Sequence, residues 1–264
     1  MLNLAISGAA GRMGGRLIDL AASDEDFKIV AAVESAQHPK IGADAGLESG
    51  IGQIDVPFSA QYPDNVDVII DFSHPGGAEA AVEFSIKNQK PLVMATTGLE
   101  AGTVEKIKSA GHEIPIVWAP SMSLAVNLTM KLVETAGLAL KDHSTGVDVE
   151  ILERHHRFKA DAPSGTALKF GEIVGEAMGL SNHQHGREGM IGERPRNEIG
   201  YHAIRTGDNP GQHTIVFGML GETIELKVAA SNRDCYAAGA LAAAKFVSQQ
   251  RPGLYNMYDV LGLN

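Results

Sequence analysis

A stretch in the middle of the chain, residues 153–167, combines side chains that can move protons with a helix start that can bind an anion. It reads ERHHRFKADAPSGTA and contains His155, His156 and Lys159. Imidazole and ammonium groups can donate a proton to a reacting substrate, and cations pair with carboxylates or phosphates. From Ser164 it reads Ser-Gly-Thr, and a helix that began there would offer its first backbone N–H groups to an anion. The stretch therefore predicts a receptor for a small carboxylate or phosphate with proton donors beside it.

The sequence on both sides of this stretch indicates the elements that position it. Val147, Val149 and Ile151 alternate with charged residues, which is the period of a half-buried strand. After Ser164, apolar residues recur at helical spacing. We therefore expect the basic residues to lie on a loop between a strand and a helix. The alternative at this point is an ordinary helix cap beside histidines that are structural.

A second candidate site lies near the N-terminus. Residues 2–7 read LNLAIS, a short buried strand, and are followed by Gly8, Gly11 and Gly14 and then by a helical pattern. Strand, glycine-rich turn and helix are the context of a dinucleotide-binding fingerprint, in which backbone N–H groups at the helix start approach a pyrophosphate. The position where the strict pattern has its second glycine is alanine here. Glu34 ends the next predicted strand, where an acidic side chain would accept hydrogen bonds from an adenosine ribose.

Short apolar segments alternate with helical patterns through the first half of the chain. This alternation predicts an α/β fold with a Rossmann-type parallel sheet, in which ligands bind at the carboxyl ends of the strands. Three later extended segments have no helices between them, which predicts a second, α+β domain with a mostly antiparallel sheet. Residues 37–52 are predicted to be irregular, 181–197 form a long polar stretch, and a final helix is predicted over Tyr236–Val247. The predicted strands are Leu2–Ser7, Lys28–Val33, Val66–Ile70, Pro91–Ala95 and Ile114–Trp118 in the first domain, and Ile199–Arg205, His213–Met219 and Thr223–Ala229 in the second.

Composition excludes several classes of function. The chain has 264 residues, 44% of them hydrophobic and 20% charged, so it can bury a large core. Its formal net charge of −10 argues against nucleic acid as a partner, and no apolar run is long enough to span a membrane. A single cysteine and an N-terminus without signal-peptide character predict a cytoplasmic protein. His183 and His185 lack carboxylate or cysteine partners at a suitable spacing, so no metal site is predicted.

The chain resembles the dihydrodipicolinate reductases of lysine and diaminopimelate synthesis. The resemblance covers essentially the whole sequence, and its most specific part is HHRFKADAPSGTA. The N-terminal motif G-x-x-G-R-M-G, the Thr-Thr-Gly at 96–98 and the tail YDVLGL at 258–263 agree with it. It implies a dinucleotide-binding domain over 1–123 and 234–264, which the chain leaves and re-enters. It also implies a substrate-binding and oligomerisation domain over 124–233, and a homotetramer.

The resemblance further implies the reaction and the residues that carry it. A nicotinamide cofactor would transfer hydride to a cyclic dicarboxylate imine derived from 4-hydroxy-tetrahydrodipicolinate, giving tetrahydrodipicolinate. Since cofactor and substrate would bind to different domains, domain closure should be needed. His155 would be the proton donor or acceptor, Lys159 a proton donor, and the substrate-binding residues would be His156, Ser164, Gly165 and Thr166. The residues implied to contact the cofactor are Gly8, Ala9, Ala10, Gly11, Arg12, Met13, Glu34, Ala95, Thr96, Thr97, Ala119, Pro120, Ser121 and Met122.

Cofactor choice depends on the residues around Glu34. We expect NADH and NADPH both to be used, with NADH preferred, because a 2′-phosphate beside Glu34 would meet a like charge. Ser35 stands where relatives that use NADPH often have arginine. Arg12 on the glycine turn and Lys40 on the following stretch are cations that could reach a phosphate, so the discrimination is expected to be partial.

Two other functions stay open from the sequence. One is a different two-domain NAD(P)-dependent dehydrogenase, which would transfer hydride to an unrelated substrate. The other is a non-catalytic protein that senses dinucleotides. A sensor needs no acid or base beside an anion site, so His155 and Lys159 argue against it.

Overall fold

The computed structural model describes residues 1–263, which divide into two compact units. The first unit consists of Met1–Leu124 together with the residues from Arg233 onward, and the second consists of Ala125–Asn232. The chain therefore leaves the first unit once and returns to it.

Helices and strands alternate in the first unit, whereas strands predominate in the second. The first unit begins with β1 (Leu2–Ser7), α1 (Arg12–Ala22), β2 (Phe27–Val33), α2 (Ala45–Ser49), β3 (Phe58–Ser59), β4 (Val68–Asp71), α3 (Pro75–Asn88), β5 (Leu92–Met94), α4 (Ala101–Ala110) and β6 (Pro115–Trp118). There follow α5 (Leu124–Leu140), β7 (Asp148–His155), α6 (Gly165–Met178), β8 (Asn182–His185), β9 (Glu198–Arg205), β10 (Gln212–Met219) and β11 (Glu222–Ala229). The chain closes with α7 (Asp234–Val247), β12 (Gly253–Tyr255) and α8 (Met257–Leu261).

The first unit is built on a seven-stranded parallel sheet in the order β12-β6-β5-β4-β1-β2-β3. The chain first adds β2 and β3 on one side of β1. It then crosses to the other side of β1, where β4, β5, β6 and β12 follow in order. Such a reversal opens a crevice at the carboxyl ends of the two central strands, where ligands of this fold class bind. The C-terminal residues pack on this unit, because β12 adds a strand beside β6 and Met257 is buried.

Helices cover both faces of this sheet. On one face, α1 and α7 contribute fully buried residues such as Leu17, Ile18 and Ala240 to a core that also contains Leu4 and Ile6 of β1. On the other face, α3 and α4 pack on a second core. Its members include Ala78, Val82, Ile107, Ile69 and Ile116. The predicted Rossmann-type α/β fold is therefore confirmed.

The second unit is built on a five-stranded mixed sheet in the order β11-β10-β7-β9-β8. The long antiparallel pairings of β10 with β11 and β7 contain more of the paired residues than the parallel pairings of β9 with β7 and β8. Along β7 the burial alternates, with Val149, Ile151, Glu153 and His155 inside. Helix α6 packs on this inner face, and α5 packs on α6, where Gly137 faces Ala177.

The sequence predictions missed five short elements and misplaced the ends of others. Residues 37–52, predicted to be irregular, contain α2, and the polar stretch 181–197 contains β8; β3, β12 and α8 were not predicted. Each of these has two to five residues, too few for a period to be visible. The third strand begins at Val68 rather than Val66, and His155 is the last residue of β7 rather than part of a loop.

No helix within residues 1–263 is both long enough and apolar enough to cross a bilayer.

A pair of glycine substitutions tests the packing of α7 in the first unit. A Cβ at Gly239 would lie 1.7 Å from the backbone oxygen of Met122, whereas a Cβ at Gly102 in α4 would meet nothing within 4 Å. We expect Gly239→Ala to lower the free energy of unfolding by about 1–3 kcal/mol or more, because a backbone carbonyl must move. Gly102→Ala should be neutral or stabilising by up to about 1 kcal/mol through helix propensity. Urea unfolding of both variants measures the difference, and equal effects would show that α7 is not packed this closely.

Candidate functional site

The glycine turn of the first unit leaves the start of α1 open. Gly11 is the N-cap of α1 and no side chain caps it. Gly8 has φ of 74°, and its amide donates to the carbonyl of Val33 at 3.0 Å. A Cβ at Gly14 would lie 2.3 Å from the carbonyl oxygen of Gly8, so glycine is required for the tight packing of turn and helix. The turn thus has the form that suits a pyrophosphate at a helix N-terminus.

Glu34 is fixed beside this turn. Its Oε1 accepts a hydrogen bond from the backbone N–H of Ala10 at 2.9 Å, and Oε2 accepts one from Ser35 at 3.3 Å. Glu34 and Ser35 line a cleft of about 670 Å³, together with Gly8, Gly11, Tyr62, Ser73 and His74. The cleft lies at the carboxyl ends of β1 and β4, where the fold predicts a ligand. A carboxylate held this way is available to ribose hydroxyl groups.

A buried carboxyl group organises the neighbouring strand ends. Asp71 is fully buried at the end of β4, and it accepts hydrogen bonds from Ser73 Oγ at 2.6 Å and from Thr96 Oγ1. Burial raises the pKa of Asp71, against the effect of these hydrogen bonds. The Ala95 N–H donates to the carbonyl oxygen of Asp71 at 3.0 Å. Asp71 therefore joins the predicted cofactor residues Ala95 and Thr96 to the ends of β4 and β5.

The other predicted cofactor residues of this unit differ in what they can offer a ligand. Ala9 and Met122 are both about 1% exposed and pack in the core, so only their backbone atoms could meet a cofactor. Arg12, Thr97 and Pro120 are exposed, Met13 is half-buried, and Ala119 is buried with its N–H donating to the Met94 carbonyl oxygen at 3.3 Å.

In the second unit, strand pairing gathers four polar residues on the inner face of the sheet. Glu153 and His155 are two residues apart on β7 and so point to the same side. Arg205 on β9 is paired with His155, and His213 on β10 is paired with Glu153. Glu153, His155 and His213 are each 9% exposed or less. Polar groups buried together require mutual hydrogen bonds, and these residues supply them.

Glu153 is the centre of this cluster. Arg205 donates to both carboxylate oxygens at 2.8 and 2.7 Å, and His155 Nδ1 lies 2.6 Å from Oε2. The backbone N–H of Ser164 donates to Oε1 at 3.1 Å. Burial alone would raise the pKa of Glu153, but the hydrogen bonds from Arg205 and His155 outweigh it and the pKa is lowered. Glu153 is therefore an anion with four hydrogen-bonding contacts.

Ser164 joins the cluster to the start of α6. It is the N-cap of α6, and its Oγ accepts from the Ala167 N–H at 3.2 Å. The same Oγ lies 3.0 Å from Nε2 of His213. Gly165 is exposed with open space over its Cα, and Thr166 is half-buried. The first turn of α6 can thus receive an anion next to the buried cluster.

The remaining predicted residues of the stretch lie on the segment between β7 and α6. Nζ of Lys159 forms an ion pair with Asp161 at 2.8 Å, and the Lys159 N–H donates to the carbonyl of His156 at 3.1 Å. Nδ1 of His156 is buried and has no hydrogen-bond partner among the described residues. A buried imidazole nitrogen in this state is suited to a polar ligand atom.

The residues that support the two candidate sites were given no role by the sequence reasoning. Glu153 stood at the start of the quoted stretch without a role, although its spacing of two from His155 on a predicted strand was a usable signal. Arg205 and His213 carried no such signal, because the pairing of β7 with β9 and β10 cannot be read from local sequence. Asp71 lies one residue beyond the predicted strand Val66–Ile70 and received no role. No group of three histidine, cysteine or carboxylate side chains among residues 1–263 is arranged to hold a metal ion.

The comparisons with known proteins agree over the whole chain. The family models described as dihydrodipicolinate reductase, N-terminus and C-terminus, match residues 2–122 and 125–261. A 4-hydroxy-tetrahydrodipicolinate reductase from Rhodopirellula baltica is 55% identical over 271 residues, covering 100% of this chain and 97% of the relative.

Two solved structures share the fold. Dipicolinate-bound dihydrodipicolinate reductase from Paenisporosarcina sp. TG-14 has a TM-score of 0.79 at 22% identity, with 98% of each chain covered. An amine dehydrogenase from Mycobacterium smegmatis has a TM-score of 0.63 at 11% identity, with 97% of this chain and 95% of that one covered.

His213 should make the protein less stable in mild acid. Burial, the largest cause, and the charge of His155 lower the pKa of His213 to about 4. An unfolded histidine has a pKa of about 6.5, so between these values the unfolded state binds a proton that the folded state excludes. Stability that is present above pH 6.5 is therefore lost as the pH falls towards 4, by about 3 kcal/mol for this group.

Replacing His213 by glutamine removes this contribution while keeping a polar partner for Ser164. We expect urea unfolding at pH 7 and at about pH 4.5 to show a smaller acid loss in His213→Gln than in the parent protein. His112→Gln, at an exposed position, is the matched control. An unchanged acid loss in His213→Gln would contradict the assignment of a neutral buried imidazole.

Proposed function

The chain belongs to the dihydrodipicolinate reductase family, and on that premise we propose that it transfers hydride from NAD(P)H to the cyclic dicarboxylate imine derived from 4-hydroxy-tetrahydrodipicolinate, giving tetrahydrodipicolinate. It is an NAD(P)H-dependent oxidoreductase of lysine and diaminopimelate biosynthesis.

The observation that carries this proposal is the association of the buried Glu153–His155 pair with the start of α6 in the second unit. A dicarboxylate needs hydrogen-bond donors and cations, and the N-terminus of α6, Lys159 and His156 provide them. A reduced imine also needs a proton. Glu153 is hydrogen-bonded both to His155 and to the Ser164 N–H, so it fixes a proton-transfer group and the anion site in one geometry.

We assign the residues of the first unit to the cofactor. The open N-terminus of α1 and the glycine turn would receive the pyrophosphate, and Glu34 would accept hydrogen bonds from the ribose. When bound, NAD(P)H supplies the hydride. Hydride addition to an imine leaves negative charge, which His155 and Lys159 would neutralise by proton donation. His156, Ser164, Gly165 and Thr166 would bind the substrate carboxylates.

We also propose that the chain uses both cofactors and prefers NADH. Glu34 is held by two backbone N–H groups, so its carboxylate cannot easily turn away from a 2′-phosphate. Lys40, one of the cations that could attract such a phosphate, is paired with Glu48 at 2.9 Å. Arg12 is exposed on the glycine turn, and its charge would leave some affinity for NADPH.

Two further proposals concern the setting in which the enzyme works. We propose a homotetramer assembled through the second unit, supported by the sheet face opposite α6, where Leu152 and Ile204 are 37% and 40% exposed. Apolar side chains grouped on a sheet face favour contact with another chain. A cytoplasmic location is proposed from the biosynthetic role and from the single cysteine.

The function is tested with purified protein, the product of dihydrodipicolinate synthase and reduced cofactor. We expect cofactor oxidation, and we expect His155→Gln and Lys159→Ala each to lower turnover by roughly 10²-fold or more, as for loss of a general acid. The affinity for NADH, measured by fluorescence titration, should barely change, because the residues assigned to the cofactor belong to the first unit.

The variants and the parent protein separate the possible failures. Near-normal turnover of either variant at saturating substrate would remove that residue from the catalytic assignment. A parent protein that binds NADH but oxidises it only with an unrelated substrate would indicate a different dehydrogenase. Binding without any turnover would indicate a dinucleotide sensor.

Cofactor preference is tested at Ser35, an exposed residue beside Glu34. We expect the parent enzyme to favour NADH in kcat/KM by between a few-fold and roughly 100-fold, the effect of about 1–3 kcal/mol. Ser35→Arg should shift this ratio toward NADPH by adding a cation for the 2′-phosphate. Ser35→Gln adds a polar side chain without charge and should leave the ratio near that of the parent. A parent enzyme that clearly prefers NADPH would show that Arg12 or Lys40 outweighs Glu34.

A further inference from the structure

We propose that Glu153 is a positioning residue, which fixes the tautomer and orientation of His155, and that Arg205 keeps Glu153 in the state required for this. The inference rests on the proposed function, in which His155 transfers a proton, and adds residues to which no role in the reaction was assigned from the sequence.

The first step of the argument is that Glu153 can only accept hydrogen bonds. Arg205 donates to both of its oxygens, and an ionised carboxylate has no proton to donate. His155 Nδ1 lies 2.6 Å from Oε2, so Nδ1 must carry a hydrogen. In the neutral imidazole the other nitrogen, Nε2, is then unprotonated and can accept a proton; in the charged form it can donate one.

The second step is that Nε2 is the nitrogen left free for chemistry. A Cβ at Gly211 would lie 3.0 Å from Nε2, so the glycine keeps a larger side chain away from that edge of the ring. The His155 side chain is 11% exposed and that of Glu153 only 1%. The Glu153 carboxylate is thus inaccessible to solvent, whereas the His155 imidazole is still partly accessible to solvent or to a ligand.

The third step is that Arg205 connects this pair to the neighbouring proton donor. Besides its two bonds to Glu153, it donates to the backbone carbonyl of Asp161 at 2.6 Å. The side chain of Asp161 is the ion-pair partner of Lys159 at 2.8 Å. The guanidinium of Arg205 therefore makes two connections. It holds the Glu153 carboxylate, which orients His155, and it holds the segment that carries Lys159.

A structural role and a positioning role for Glu153 predict different results when an amide replaces the carboxylate at position 153. In Glu153→Gln, Arg205 faces both oxygen positions, so the amide oxygen belongs at the Oε1 position, where the backbone N–H of Ser164 is a second donor that cannot give up its hydrogen. The amide NH₂ then faces His155 Nδ1 and can only donate to it. The imidazole should respond by moving its hydrogen to Nε2, so the neutral tautomer reverses.

The test is nitrogen NMR of the histidine side chains at alkaline pH, with the His155 signals assigned by their absence in His155→Gln. We expect the parent protein to carry its hydrogen on Nδ1 of His155, and Glu153→Gln to carry it on Nε2. A parent protein with hydrogen on Nε2 would overturn the proposal by itself, even if the variant failed to fold. This measurement needs no turnover, whereas a parent enzyme without reductase activity would refute the proposed function instead.

Kinetics separate positioning from general loss of structure. We expect Glu153→Gln to lower kcat by roughly 10²-fold or more with KM for NADH unchanged, the result of a wrong tautomer at a proton-transfer step. Glu150→Gln is the matched control, since Glu150 is also on β7 and is bonded by Arg187, Arg194 and His202. It should cost stability without changing the His155 tautomer or lowering kcat comparably. Equal losses of kcat in the two variants, or an unchanged tautomer in Glu153→Gln, would reduce Glu153 to a structural residue.

Discussion

The contact between the Glu153 carboxylate and the Arg205 guanidinium is the interaction on which the second unit's site depends. A buried charge is costly unless it is paired and fully hydrogen-bonded, and Glu153 meets that condition through Arg205, His155 and the Ser164 N–H. Because each partner belongs to a different element, satisfying one carboxylate fixes β7, β9 and the start of α6 relative to one another. A shift of any of these elements would leave a buried carboxylate without one of its hydrogen bonds.

The first unit uses polar groups differently. Glu34 accepts hydrogen bonds from two backbone N–H groups at a turn and faces a cleft, so its carboxylate is held in place without being removed from solvent and ligand. Asp71, fully buried and bonded to hydroxyl groups, has a raised pKa, whereas Glu150 in the second unit is held by arginines that lower its pKa to about 2. At Asp71 the effect of burial exceeds that of the hydroxyl hydrogen bonds and favours the neutral carboxyl group, whereas at Glu150 the guanidinium groups outweigh burial and favour the anion.

The sequence was most informative where local pattern and local chemistry coincide. The longer strands and helices of the first unit, the glycine turn and the capping Ser164 follow from periodicity and from residue type within a few positions. The support of the site does not, because Glu153 meets Arg205 across 52 residues and Ser164 meets His213 across 49. These pairs depend on the order β11-β10-β7-β9-β8, which is a property of the whole sheet. The short elements β3, β8 and α2 were missed because their stability comes from neighbours rather than from their own sequence.

The return of the chain to the first unit sets an order for folding during synthesis. Helix α7 supplies Ala237, Ala240 and Leu241 to the core that β1 and α1 begin, and β12 completes the sheet beside β6. The ribosome releases these residues only after all of Ala125–Asn232 has emerged. The inserted unit can therefore reach its native packing while the N-terminal segment still exposes the apolar surface that α7 and β12 cover in the finished protein. During this interval the nascent first unit is the part of the molecule with uncovered apolar surface, which favours aggregation.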